Sequence, residues 1–539
     1  MLIGVLLVWA AAGQVNILTA NYGNDRTNTT LQEQILNTSK VTPTDFGRIG
    51  SFPVDGQIYA QPLYVQGLTI GGQTRNVVFV ATLRNTVYAI DADAPTSTVP
   101  LWSVNLGPPV PSTFLEFNDI RPEVGILGTP VIDLARNVIY VVTDTFEDDK
   151  AVFRLHALSL SDGLEKCDGP VEIKAIVDGG GDASEDGRIA FDPKQHLQRP
   201  GLLVANDAVY IAFGSHADAY PYHGWVIAYD ASSISRQIAV FNTTPQAGAG
   251  SIWQAGRGLA ADSAGNLYVA TGNGDYDGVS NFGESFIKLS PSLAVLDWFT
   301  PKNYLELSDG DYDLALGPML TPGAEQFVGA DKAGNMYLVD RNNLGHLGVD
   351  GANYPQIFQP VEYGGIFNAA LWESARGLLV YFAQAGDYTR ALRSVAGWFE
   401  SVPFTETGVN PDLGLQGMAV SANGVLAETG ILWMTTGDHS VRGPVAGTLH
   451  AFDALNLTNE LWNSDMSGDR DKLGLFTKYA SPTVANGRVY VPTLSKQLAI
   501  YGLLEAAPPA PTPAPIEDPV PPANPPAEEP PAPPAEEIQ

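Results

Sequence analysis

The chain carries a single cysteine, Cys167, among 539 residues. That excludes an internal disulfide framework and any cysteine-rich zinc site, each of which needs thiols in sets. Cations are also scarce: 29 Lys and Arg stand against 59 Asp and Glu, a formal net charge of -30. Nucleic acid and anionic lipid both demand a basic footprint, so we expect neither as a partner. Long hydrophobic runs are missing too. The only one of note, Leu2 to Ala12, is too short to span a bilayer. No membrane span is therefore expected.

That run ends in Ala10-Ala11-Ala12-Gly13, a small-residue pattern suited to signal-peptidase cleavage, while no Lys or Arg precedes Arg26. We read residues 1–14 as a signal peptide lacking its basic n-region, which places the mature chain outside the cytoplasm, secreted or periplasmic. A buried hydrophobic strand is the alternative. At the other end, from Pro508 to Gln539, the chain is nearly all Pro, Ala and Glu, with no aromatic residue and no Lys or Arg. Such a stretch cannot bury enough apolar surface to offset its ordering entropy. Residues 505–539 are expected to be a disordered tail, either a solvated polyproline spacer or a ligand for a Pro-recognition domain.

The composition between these ends favours strands and turns. The chain holds 55 Gly and 40 Pro, and is 45% hydrophobic but only 16% charged. Residues 15–504 contain an internal repeat: an apolar strand, a tight turn, a strand with a central aromatic, a variable loop, and a strand ending in an apolar residue and Asp. Thr129-Pro-Val-Ile-Asp133 with Asn137-Val-Ile-Tyr-Val-Val142 is one clear copy, and Ser481-Pro-Thr-Val-Ala485 with Arg488-Val-Tyr-Val491 another. The aromatic recurs at Phe79, Tyr140, Tyr210, Tyr268, Phe327, Tyr381, Trp433 and Tyr490. Third strands end at Asp91, Asp230, Asp340 and Asp453. Eight copies at this spacing predict an all-β, eight-bladed propeller of four-stranded antiparallel blades. Two β-sandwiches end to end are the alternative. The last copy stops after Tyr501 with no fourth strand, whereas residues 47–55 form a strand before the first copy. We therefore expect that N-terminal strand to close the ring beside Tyr490 and Ile500, and the chain to be a monomer.

Loop lengths point to a working face. Turns between first and second strands are short, as at Ser263-Ala-Gly-Asn266, while the other connections are long and polar, as at Ser215 to Gly224, Thr271 to Gly283 and Ser308 to Asp313. Binding residues concentrate in such loops. His216, Asp218 and His223 lie within one of them and pair imidazole with carboxylate, as a metal site or an acid–base pair requires; imidazoles that merely tie a loop together are the competing reading. Asp311 and Asp313 form a second acidic group, able to hold a cation if near the axis. From Asn273 to Glu284, oxygen-bearing residues fall at positions 1, 3, 5 and 12 (Asn273, Asp275, Asp277, Glu284) with Gly278 at position 6, the spacing of an EF-hand calcium loop. A plain Asn/Gly/Asp turn remains open.

Several stretches together, Asn24-Asp-Arg-Thr27, Val54-Asp-Gly-Gln-Ile-Tyr-Ala-Gln-Pro-Leu63, Gly214-Ser-His216, Pro221-Tyr-His-Gly-Trp225, Ala270-Thr-Gly-Asn-Gly274 and Glu460-Leu-Trp462, resemble the pyrrolo-quinoline-quinone-binding-like β-propeller repeat proteins of the quinoprotein alcohol dehydrogenase-like superfamily. The resemblance runs over roughly residues 20 to 504 and includes the repeat's outer-strand Trp at Trp102 and Trp462. It implies a propeller and, in the true dehydrogenases, pyrrolo-quinoline quinone with a calcium or lanthanide ion held by Glu, Asn and Asp, an Asp base, and often an adjacent-cysteine disulfide. One cysteine forbids that disulfide here. Two function classes follow: a binding or scaffold propeller for a small molecule, carbohydrate or protein, and a quinone-dependent oxidoreductase of alcohols or sugars.

Overall fold

The computed structural model describes residues 14–116, 119–348, 356–360, 364–410, 415–438, 443–505 and 531. Residues 1–13, read above as leader, and nearly all of the Pro-rich tail lie outside them. Among the described residues no helix is long and apolar enough to cross a membrane.

Among the described residues eight mainly antiparallel sheets form the blades of a propeller. Blade 1 is built from Leu63–Ile70, Gln73–Ala81, Thr86–Asp91 and Trp102–Asn105. Blades 2 to 7 begin at Val131–Asp133, Leu203–Ala205, Ala260–Ala261, Leu316–Leu320, Ile366–Ser374 and Met418–Ser421. Blade 8 takes Thr483–Ala485, Arg488–Pro492 and Gln497–Leu503 from the C-terminal end, and its fourth strand, Phe46–Pro53, from the N-terminal end. That closing strand pairs antiparallel with the third, Phe46 opposite Leu503 and Gly50 opposite Ile500. The expected closure is therefore present, starting one residue earlier and ending two residues sooner than the sequence suggested. Closing the ring this way leaves blade 8 without a missing outer strand.

The repeat's signature residues explain how blades stay together. All eight second-strand aromatics are buried. Three of them reach out of their own blade: Tyr140 Oη donates to Ala231 O at 2.5 Å, Tyr210 Oη to Pro291 O at 2.9 Å and Tyr381 Oη to Ala454 O at 2.8 Å. Each acceptor follows the third strand of the next blade. The terminal Asp of the third strand makes the turn that follows: Asp91, Asp230, Asp340 and Asp453 each accept the backbone N–H two residues on. Apolar packing runs between neighbours; one core cluster joins Val131, Tyr140 and Leu155 of blade 2 to Ile211, Trp225 and Ile227 of blade 3.

The segment from Gln14 to Glu33 lies outside the repeat pattern and has a role of its own. It circles the axis and bonds to the inner edge of every blade in turn. Asn16 and Ile17 pair with Val65 and Tyr64 of blade 1, and Leu18 O accepts from Ile132 N of blade 2. Asn24 Nδ2 donates to Val204 O of blade 3, and the carbonyls of Asn24, Asp25, Thr27 and Asn28 accept from Ala261, Leu320, Leu371 and Val420 of blades 4 to 7. Tyr22 Oη and Glu33 Oε2 accept from Val484 N and Gly487 N of blade 8. Asn21, Tyr22, Arg26 and Asn28 have positive φ, which bends the chain around so tight a circle. Arg26 is fully buried and donates to Leu259 O, Thr19 Oγ1, Ala20 O and Leu202 O.

Candidate functional site

A cavity of about 490 Å³ opens on the axis at the face of the long loops. Its walls come from residues just ahead of inner strands (Arg199, Trp253, Asp313, Tyr479) and from loops between second and third strands (Asp218, Lys332). Beneath it, a void of about 20 Å³ is lined by Asn21 of the axial segment together with Arg199, Lys478 and Tyr479. The circling segment thus floors the channel.

The cavity has an acidic wall. Asn273 N donates to Asp313 Oδ1 at 2.8 Å and Asn273 Nδ2 to Asp311 Oδ1 at 3.1 Å. Lys332 Nζ lies 2.8 Å from Asp311 Oδ1 and also contacts Asp313 Oδ2. Burial would lower the Lys332 pKa, but Asp313 and Asp311 more than reverse this and hold the ammonium charged. Asp218 is pushed upward by burial and by Asp313, and hydrogen-bonds Tyr222. Behind them Glu284, fully buried, accepts from Leu314 N at 3.2 Å; burial and Asp313 push its carboxyl well above the usual range. A glycine is required at 272, because a β-carbon there would stand 2.1 Å from Asp313 Oδ1.

A basic wall shares the same cavity. Lys478 Nζ pairs with Asp119 Oδ1, and Arg199 Nη2 lies 3.3 Å from Asp119 Oδ2. Burial raises the Asp119 pKa, but Arg199 and Lys478 together outweigh it and hold the carboxyl low. The Arg199 guanidinium lies 5.2 Å and Lys478 Nζ 5.6 Å from the Tyr479 ring centroid, within cation–π range. Burial pushes the Tyr479 hydroxyl up to about 12. Trp253 and Phe367 complete the lining.

The candidates read from the sequence therefore divide. Asp218, Asp311 and Asp313 line one cavity. The histidines do not join them. His223 is buried with both ring nitrogens engaged, Nδ1 with Thr244 Oγ1 and Nε2 with Asp182 O, each at 2.9 Å. His216 is buried and hydrogen-bonds the backbone of His196. The four calcium-loop positions point apart: Asp277 is exposed and accepts the N–H groups of Val279, Ser280 and Asn281, Asp275 is exposed and accepts from Gly248 N, Asn273 turns to Asp311 and Asp313, and Glu284 is buried. Among the described residues no three His, Cys, Asp or Glu side chains converge to hold a metal. Arg199, Trp253, Lys332, Lys478 and Tyr479 went unrecognised in the sequence. Four of them, Arg199, Trp253, Lys478 and Tyr479, stand ahead of an inner strand, and that position is the available signal.

No family model matches the chain, and no curated protein matches it in sequence. Solved structures do match. Quinohemoprotein alcohol dehydrogenase from Comamonas testosteroni superposes with a TM-score of 0.60 at 13% identity, over 92% of this chain and 82% of that one. A quinohemoprotein alcohol dehydrogenase from Pseudomonas putida gives 0.55 at 14% identity, over 92% and 82%. BamB from Moraxella catarrhalis gives 0.46 at 13% identity, over 85% and 97%. At these identities the likeness is one of fold.

Proposed function

We propose that this chain is an exported binding propeller whose small-molecule ligand enters the axial cavity from the long-loop face. Residues 1–14 serve as its export signal and residues 505–539 as a spacer. The observation that carries the reading is the cavity itself. It has a floor built by Asn21 and its neighbours, a volume of about 490 Å³, and a lining that mixes Trp253, Phe367 and Tyr479 with charged groups of both signs. That combination of apolar surface with a few converging polar groups is what small-molecule sites present. Thermal-shift screening of the full chain against sugars, amino acids, peptides and quinones tests it. A saturable stabilisation that Trp253→Phe weakens supports the proposal; stabilisation unaltered by Trp253→Phe and by Tyr479→Phe contradicts it.

A second reading, a quinone-dependent oxidoreductase, is favoured by the aromatic lining beside Arg199 and Lys478, groups suited to a flat ligand bearing carboxylates, and by the dehydrogenases that share the fold. The metal that such enzymes carry does not fit this arrangement, because the Lys332 ammonium already sits between Asp311 and Asp313. Quinone supplies two-electron chemistry when bound; Arg199 and Lys478 would hold its acidic groups. An absorbance scan after adding quinone, followed by a dye-linked assay with alcohols and sugars, separates this reading from simple binding.

A further inference from the structure

The two walls of the axial cavity carry opposite charge. On one side two cations, Arg199 and Lys478, share one carboxylate, Asp119, which leaves a formal positive charge. On the other, three carboxylates, Asp218, Asp311 and Asp313, face one cation, Lys332, which leaves a formal negative charge. Both sets line the same space, and Tyr479 stands within electrostatic reach of Arg199 and Asp119 on one side and of Lys332 and Asp313 on the other. Neither wall can neutralise itself, and each is partly withdrawn from water, where charges interact more strongly than at a free surface. Arg199 is 7% exposed, so the cation on the basic wall is held largely out of water, where an opposite charge on a ligand is felt most strongly.

We infer that the ligand is a small dipolar molecule, a short peptide, with its carboxylate at Arg199 and Lys478 and its ammonium at Asp218 and Asp311. A neutral sugar would leave both net charges uncompensated, and a purely anionic ligand would meet the acidic wall. The cavity's volume of about 490 Å³ falls within the roughly 300–1,000 Å³ of small-molecule sites, and Trp253 and Phe367 offer surface for an apolar side chain. This inference rests on the proposed function, since it specifies what the same cavity binds.

The test uses three probes of one skeleton on the full chain, by calorimetric titration: the dipeptide Gly-Phe, its N-acetyl form lacking the ammonium, and its C-terminal amide lacking the carboxylate. Gly-Phe is expected to bind about tenfold or more tightly than either capped form, the loss that removal of one charge-assisted contact brings. Arg199→Gln is expected to weaken Gly-Phe and the N-acetyl form while sparing the amide. Asp311→Asn, at a side chain 64% exposed whose change removes no core packing, is expected to weaken Gly-Phe and the amide while sparing the N-acetyl form. Lys478→Met repeats the Arg199 arm should that variant not fold. Equal binding of all three probes, or variants that weaken all three alike, overturns the dipolar assignment. Absence of peptide binding while a sugar or quinone binds and shifts the melting temperature also overturns it, but leaves the cavity standing as a site. Absence of binding by every compound overturns both.

Discussion

Ring closure makes the sharpest stability prediction, and Phe46 is the residue to change. It begins the strand that the N-terminal region contributes to blade 8, and it is fully buried. Its ring lies 4.9 Å from Trp462 in an edge-on arrangement, 5.4 Å from Trp433 and 6.5 Å from Tyr501. The two tryptophans belong to blade 7, so one side chain ties the closing strand to the neighbouring blade as well as to its own. Phe46→Ala removes that ring from a packed interior at a cost of about 4 kcal/mol. A cooperative unit of some 490 residues has an unfolding entropy of about 1 kcal/mol/K, so the melting temperature should fall by about 4 °C. Differential scanning calorimetry reads this directly. Val99→Ala, at an exposed position, serves as control. A double-mutant cycle with Trp462→Ala should show a coupling of about 1 kcal/mol. A Phe46→Ala protein that melts within about 1 °C of the parent, with no coupling to Trp462, would refute the closure argument.

Three further predictions concern buried polar groups. Arg26→Met strips Leu259 O and Ala20 O of a buried donor and should cost about 2–4 kcal/mol by chemical denaturation, with faster hydrogen exchange along the inner strands; an unchanged midpoint would mean the axial segment carries no load. Burial lowers the His196 pKa to about 4, so the unfolded chain takes up the proton first. The stability from that group is full above about pH 6.5 and is lost as pH falls toward 4, by about 3 kcal/mol. The melting curve of His196→Asn should accordingly be flatter with pH than the parent's over that window, and parallel curves would contradict the assignment. Glu284, whose carboxyl burial and Asp313 push well above the usual carboxylate range, should tolerate Glu284→Gln with less than about 1 kcal/mol of loss, and chelator should leave the melting temperature unchanged. Sensitivity of the parent to chelator, abolished in the variant, would restore the calcium-loop reading.

The blades were legible because each repeat spells out its physics locally. A central aromatic such as Tyr140 and a terminal Asp such as Asp91 recur at fixed places, and both do the same work in several blades. Closure was legible from chain economy, since one copy lacked a strand and another region supplied it. The axial segment was not. Its contacts run mostly through backbone carbonyls, which carry no sequence signal, and its Asn and Thr residues read as an ordinary loop. At the site, Asp311 and Asp313 stand two positions apart and are legible as a pair, whereas the basic wall is assembled from Arg199 and Lys478, far apart in the chain. The histidines carry a similar ambiguity in the sequence. Proximity of His216 and His223 in sequence said nothing of Asp182 and Thr244, which reach His223 from other segments.

The most direct test of the account is a crystal structure of the full chain soaked with whichever compound gives the largest saturable thermal shift. The account predicts density for that compound in the axial cavity, against Trp253 and Tyr479 and within hydrogen-bond reach of Arg199, with residues 14–33 still closing the channel beneath it. Density on the outer surface of a blade or at the short-turn face, with the axial cavity unchanged, would contradict it.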